Sequence, residues 1–212
     1  MSEVKIDTAR FFERLNRLVA HWDDNSGLWG GSKTICIPMG TSSGEQSYSK
    51  MASLHLYLLG YEFPDTLMVI TKTDFYFMGT SKKCGYLKDA LSEKAKEDGN
   101  INLHLLEKSK DDGQNREYQN DLLNHMRKSG KIVGCFLKTV FEGKFVPGWM
   151  EMLKGSQLEL HEITPSIGDF LSIKDSDEMV SSFPNSIFFV SKLILYQFSY
   201  SNNLMFYLFP TN

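Results

Sequence analysis

The stretch Gly40-Thr41-Ser42-Ser43-Gly44 matches G-x-S-x-G, the spacing of a nucleophile elbow, and it lies between a strand-like and a helix-like run. In that setting Ser42 would attack a carbonyl, and the reaction would need an acid and then a histidine further along the chain. Asp74 and His161 occur in that order. A serine hydrolase using Ser42 is therefore one reading. Against it, Glu45, Gln46 and Ser47 lengthen the loop, whereas an elbow turns sharply into its helix, and motifs this short recur by chance. The corner LLGYEFPDTLMVIT (58–71) is a second candidate, because Glu62 and Asp65 flank Pro64 between two apolar runs. Here a structural role is the simpler expectation. Gly60 suits the left-handed end of a helix, and Pro64 drives Phe63 towards an extended backbone. Asp65 and Thr66 can satisfy open backbone N–H groups. On that reading Asp65→Ala costs about 1 kcal/mol.

The remaining polar chemistry is dispersed. The five histidines, His21, His55, His104, His125 and His161, lack metal-ligand spacing, and no cysteine stands at ligand distance from one. A carboxylate-metal nuclease would need acids gathered at one sheet edge, and the strand-like runs carry few, among them Asp65, Asp74, Glu107 and Glu159. Lys82-Lys83 and Arg127-Lys128 are pairs rather than clusters and read as solvated faces. No nucleic-acid module pattern is present, so sequence-specific nucleic-acid binding is not expected. Net charge is −3, which argues against affinity built on many phosphate contacts. Cys36, Cys84 and Cys135 form no CxxC pair, and Cys36 and Cys135 sit inside apolar runs. Such thiols suit a reducing, intracellular setting. No catalytic, cofactor-binding or metal-ligating residue is assigned, and no cofactor is expected.

The elements that would position these residues follow from periodicity. Phe11, Leu15, Leu18 and Trp22 mark one face of an opening helix, capped by Asp7 or Thr8. Strand-like runs follow at 33–39, 65–71, 74–80, 101–108, 131–138 and 158–164. The second and third of these form a hairpin. Helix-like runs occupy 48–59, 81–94, 115–130, 146–155 and 165–173. The predicted fold is α/β, a mixed six-stranded sheet flanked by helices. The composition changes after Glu178: from Met179 to Asn212 the only charge is Lys192. That tail admits three readings. It is sequence without a selected fold, or added strands covering a sheet edge, or a membrane anchor interrupted by Gln197, Ser199, Ser201, Asn202 and Asn203. No membrane partner is expected.

The ordered stretches FFERLNRLVAHWDD, LHLYLLGYEFPDTLMVITKTDFYFMGTSKKCGYL and KIVGCFLKTVFEGKFVPGWMEML resemble the N-terminal lobe of the large subunit of the FACT histone chaperone. The residues that carry the resemblance are Arg14, Leu15, Trp22, Gly60, Tyr61, Glu62, Asp65, Thr66, Met68, Val69, Phe77, Ser81, Lys82 and Lys83, within a run from about Ile6 to Asp175. The segment HEITPSIGDFLSIKDSDEM is similar to the family's junction out of this lobe. The resemblance implies the N-lobe of the creatinase/aminopeptidase pita-bread fold, with the catalytic groups of that fold in a C-terminal lobe. It implies a non-catalytic, nuclear, chromosome-associated module. Its partners would be core histones or histone peptides, and other FACT, replication or transcription proteins. The FACT family continues past the lobe into a charged helix and further domains, so residues 1–178 are expected to form the lobe and 179–212 a divergent tail of a C-terminally truncated relative. A vestigial or competing scaffold without direct histone binding is a further reading. Which residues contact a partner is not legible.

Overall fold

The computed structural model describes residues 4–41, 49–98 and 101–173. Six helices and six strands alternate among them. In order these are α1 (Thr8–Asp24), β1 (Thr34–Met39), α2 (Lys50–Leu59), β2 (Thr66–Ile70), β3 (Asp74–Gly79), α3 (Ser81–Asp98), β4 (Asn102–Glu107), α4 (Asp112–Ser129), β5 (Ile132–Cys135), α5 (Phe145–Lys154), β6 (Glu159–Glu162) and α6 (Thr164–Ser172). The strands form one sheet in the order β4-β3-β2-β1-β5-β6. The β1–β2 and β2–β3 pairs are antiparallel, and the β3–β4, β1–β5 and β5–β6 pairs are parallel. The mixed six-stranded sheet read from the sequence is borne out. The residue 179–212 tail lies outside the described residues.

Local chemistry explains the boundaries. Asp7 caps α1 by accepting from the Arg10 N–H at 3.1 Å, which orders its buried stripe Phe11, Leu15, Leu18 and Trp22 against the sheet. Ser49 caps α2, and Gly60 ends it at φ +74°. The α4 helix starts earlier than the periodic residues suggest, because Asp111 accepts from the Gly113 N–H. Strand β5 stops at Cys135, short of the run to residue 138. The N–H groups of Leu137 and Lys138 donate instead to the Glu162 carboxylate, at 2.8 and 3.0 Å, and so leave the ladder.

Period-two alternation divides the core into two layers. Phe75 packs edge-on to Phe11, and Phe77 edge-on to Phe63, so this face lies under α1–α3. The opposite face presents Cys36, Leu67, Val69, Tyr76, Met78, Val133 and Cys135 to Leu122, Leu123 and Met126 of α4 and to Trp149 and Leu153 of α5. The β1 and β2 strands are buried throughout, as expected for central strands covered on both faces. Exposure rises only at the sheet's two ends, β4 and β6.

Candidate functional site

The Asp65 corner is a junction that ties four elements together. Asp65 sits at φ +57°, a left-handed conformation that its short polar side chain tolerates better than most. Its N–H donates to the Gly40 carbonyl at 2.9 Å, which joins it to the end of β1. Its carboxylate pairs with the Lys108 ammonium, and Lys108 also donates to the Asp65 carbonyl at 2.9 Å. The Lys108 side chain is 11% exposed, and its ammonium lies 4.2 Å from the centroid of the Phe145 ring on α5. From α3, Lys83 donates to the Pro64 carbonyl. Burial, with Lys108 nearby, pushes the Lys83 pKa down, and Asp65 works the other way.

This geometry corrects one detail of the sequence expectation. Thr66 does not accept from an open N–H; its hydroxyl donates to the Phe63 carbonyl at 2.6 Å. Asp65 acts chiefly through an ion pair rather than a turn hydrogen bond. Its removal therefore costs more than the about 1 kcal/mol expected above. Asp65→Ala leaves Lys108 without its anion and removes the short polar side chain that makes positive φ tolerable here, so we expect a loss of about 2 kcal/mol. Asp65→Asn keeps the favoured conformation and should lose about half as much. Urea unfolding of the two variants measures the difference; equal stability of Asp65→Ala and the parent would refute the junction role. Glu62 is exposed and is not among the groups that hold the junction, so the two carboxylates do not form a reacting pair.

The hydrolase reading fails on placement. Ser42 lies outside the described residues, but its required partners are visible. Asp74 is on β3 and His161 on β6, four strand steps apart in the sheet, or about 19 Å at the usual strand spacing. They cannot share a proton. The His161 ring instead lies against Gly30, where a Cβ would meet it at 2.4 Å. Asp74 pairs with a different histidine: His104 Nε2 is 2.8 Å from its carboxylate. Burial works to raise the Asp74 pKa, yet hydrogen bonds from Thr73, His104 and Asn102 outweigh it and hold the carboxyl below its ordinary value. A dyad of this kind needs a hydroxyl on the imidazole. Here the Thr71 and Thr73 hydroxyls both reach the carboxylate instead. The His104 ring is stacked on Tyr76 at 4.4 Å. The dyad therefore reads as a clamp between β3 and β4.

His21 and the three cysteines are engaged structurally or sealed. His21 Nδ1 accepts from the Trp29 Nε1–H at 3.3 Å, which leaves Nε2 to donate to Asp169 at 3.2 Å. The three thiols are buried. Burial pushes Cys84 up to about 11 and Cys135 up to about 12, so neither supplies a thiolate near neutral pH. Among the described residues no three potential metal ligands come together. A groove of about 630 Å³ runs between α4 and α5. Of its cations Lys108, Arg116 and Lys144, Lys108 is already paired with Asp65, and Asp112 and Glu151 offset the other two, so it favours neither sign of ligand.

What remains open is the edge of the sheet at β4. Sequence reasoning took 101–108 only as a strand. The available signal was that INLHLLE contains neither proline nor lysine, the residues that usually blunt an edge.

Together these observations define the class: a mixed α/β lobe whose polar groups hold its framework and form no reaction centre among the described residues. Comparison with known proteins is specific beyond this. The family model for the FACT complex subunit SPT16 N-terminal lobe domain matches residues 6–166, and the chain belongs to that family. The match begins at the expected residue and stops before Asp175, where the resemblance had been carried. FACT complex subunit SPT16 from Zea mays is 32% identical over 182 residues, covering 82% of this chain and 17% of that protein. The Mycosarcoma maydis protein of the same name is 30% identical over 187 residues, covering 84% of this chain and 18% of that protein. The chain thus spans less than a fifth of the length of these relatives. The solved N-terminal domain of the Eremothecium gossypii subunit superposes with a TM-score of 0.75 at 27% identity, over 82% of this chain and 40% of that one.

The positions that carried the resemblance are largely framework. Arg14 donates to the Tyr57 carbonyl at 2.7 Å and covers the Tyr57 ring. Trp22 donates to the Ser32 carbonyl at 3.0 Å. Lys83 and Asp65 hold the corner.

Proposed function

We propose that the chain is a non-catalytic, chromatin-associated module of FACT type that binds core histones or histone peptides in the nucleus. The observation that carries this reading is the continuous family match over residues 6–166. The shared fold with a solved SPT16 N-terminal domain supports it, as does the separation of Asp74 from His161. In this reading residues 1–178 are the binding lobe and 179–212 a distinct tail. The module lacks the electrostatic grip that a highly charged chain would supply, with a net charge of only −3. Its affinity should therefore be modest, and whatever local charge pairs contribute to it should weaken as salt rises. Pull-down of core histones by the full chain across a salt series tests this. Retention at low salt that fades as salt rises is expected, and no retention even at low salt would remove direct histone contact. The same family match also allows a second reading, a scaffold that competes with the full-length subunit for partners. Displacement of full-length subunit from a shared partner, without histone retention, would select it.

A further inference from the structure

We propose that the outer edge of β4 is a docking site for an extended, basic peptide segment, which adds to the sheet as a seventh strand. This deepens the function proposed above and rests on it only for the partner's origin. The hydrogen-bond parity of β4 identifies the donor and acceptor groups. The Asn102 N–H donates to the Thr73 carbonyl and the Lys108 N–H to the Gly79 carbonyl, both at 2.7 Å. In a parallel pair, alternate residues direct both backbone groups to the neighbouring strand. Asn102, His104 and Leu106 therefore serve β3. The N–H and C=O groups of Leu103, Leu105 and Glu107 point out of the sheet, and no backbone group among the described residues meets them.

The two ends of the sheet differ in a way that singles out β4. The β6 edge has four residues, two of them glutamates. Its Glu162 carboxylate is bonded to Leu137, Lys138 and Thr164, and its His161 ring is covered by Gly30. This edge is short and charged. The β4 edge has six residues, pairs with β3 over all six, and is exposed or half-buried throughout. Its middle is Leu-His-Leu-Leu, without a charge or a proline. Unguarded edges of this length pair with extended chains. The His104–Asp74 clamp holds the strand from its inner side, so the template is already ordered.

The charge around the edge selects the occupant. Residues 101–107 carry no lysine or arginine. Glu107 stands exposed at one end of β4, and the Asp74 carboxylate lies beside Asn102 at the other. The nearest cation in sequence, Lys108, is turned inward to Asp65. An extended segment with lysine or arginine at its ends therefore matches this edge, and an acidic one does not.

The test uses the full chain and labelled peptides of alternating valine and threonine, ended either in lysines or in glutamates, measured by fluorescence anisotropy. The lysine-ended peptide should bind saturably and the glutamate-ended one should not. N-methylation of the peptide amides that face the edge removes donors without changing charge, and should weaken binding about ten-fold or more. Leu105→Pro removes an outward N–H at a place where proline is compatible with an edge strand, and should weaken binding similarly while β3 amide protection persists. Glu107→Lys should weaken the lysine-ended peptide and admit the glutamate-ended one. Undiminished binding of the N-methylated peptide overturns the proposal, as does undiminished binding to a folded Leu105→Pro. A dimer of the chain abolished by Leu105→Pro would assign the edge to a second copy and overturn it too. Core histones separate the two readings. If Leu105→Pro retains them like the parent, the edge is refuted as their site and the histone reading stands. If the parent binds the peptide but no histone, only the histone reading falls.

Discussion

Replacing His55 with leucine is expected to stabilise the protein, by about 1 kcal/mol at pH 7 and by about 3 kcal/mol more at pH 4. His55 on α2 is fully buried, and neither ring nitrogen has a hydrogen-bond partner among the described residues. Burial, with Lys83 nearby, pushes its pKa down to about 3. In the unfolded chain the same imidazole titrates near 6.5. Between those values the unfolded state binds a proton that the folded state refuses, so stability rises with pH across this window. The contribution is whole above pH 6.5 and is lost progressively as pH falls towards 3. Leucine cannot be protonated and leaves no buried donor or acceptor unpaired. The variant should keep only the acid sensitivity of carboxylates such as Asp74 and Glu162, whose pKa values are held down by their hydrogen bonds despite burial. Urea midpoints measured from pH 7 to pH 4 give the comparison. Parallel pH profiles for parent and variant would show that His55 is not sealed from water.

Trp149→Ala should cost about 3–5 kcal/mol, a large part of the 5–15 kcal/mol that holds a typical domain folded. Trp149 is the anchor of α5 and is fully buried in the layer that α4 and α5 form with the sheet. Its indole N–H donates to Cys36 Sγ on β1 at 3.3 Å, so it spans from the outer helix to a central strand. Alanine leaves a cavity that two rigid neighbours, the sheet and α4, cannot collapse into. Trp149→Phe keeps most of the volume and gives up a weak hydrogen bond to sulfur, so its cost should fall to about 1–2 kcal/mol. Thermal unfolding of the pair measures both. An alanine variant no less stable than the phenylalanine one would mean that α5 contributes little to the core.

Much of the framework was legible because it follows from local rules. The α1 stripe, the Gly60 stop and the continuous apolar run of β2 each depend on residues close in sequence. The errors occur where a distant group intervenes. Strand β5 is cut short by a carboxylate 24 and 25 residues away. Asp65 looked like a turn-former, and its main partner, Lys108, lies 43 residues on. His55 carried no sequence signal at all: its sealed surroundings come from packing against several elements. The elbow-like Gly40–Gly44 motif lies in sequence between a strand and a helix, but the sheet order separates Asp74 from His161.

The sequence by itself determined the alternation of helices and strands, the mixed sheet and the family, because hydrophobic period, turn chemistry and ordered motifs are written along one dimension. Only the tertiary structure decided which side chains meet. Strand order placed the candidate acid and histidine apart, and paired Asp74 with His104 instead. It also decided which strands became edges. Two strands must end any open sheet. Strand β6 is short and carries two glutamates, whereas the longer β4 carries outward groups at Leu103, Leu105 and Glu107 that have no backbone partners among the described residues.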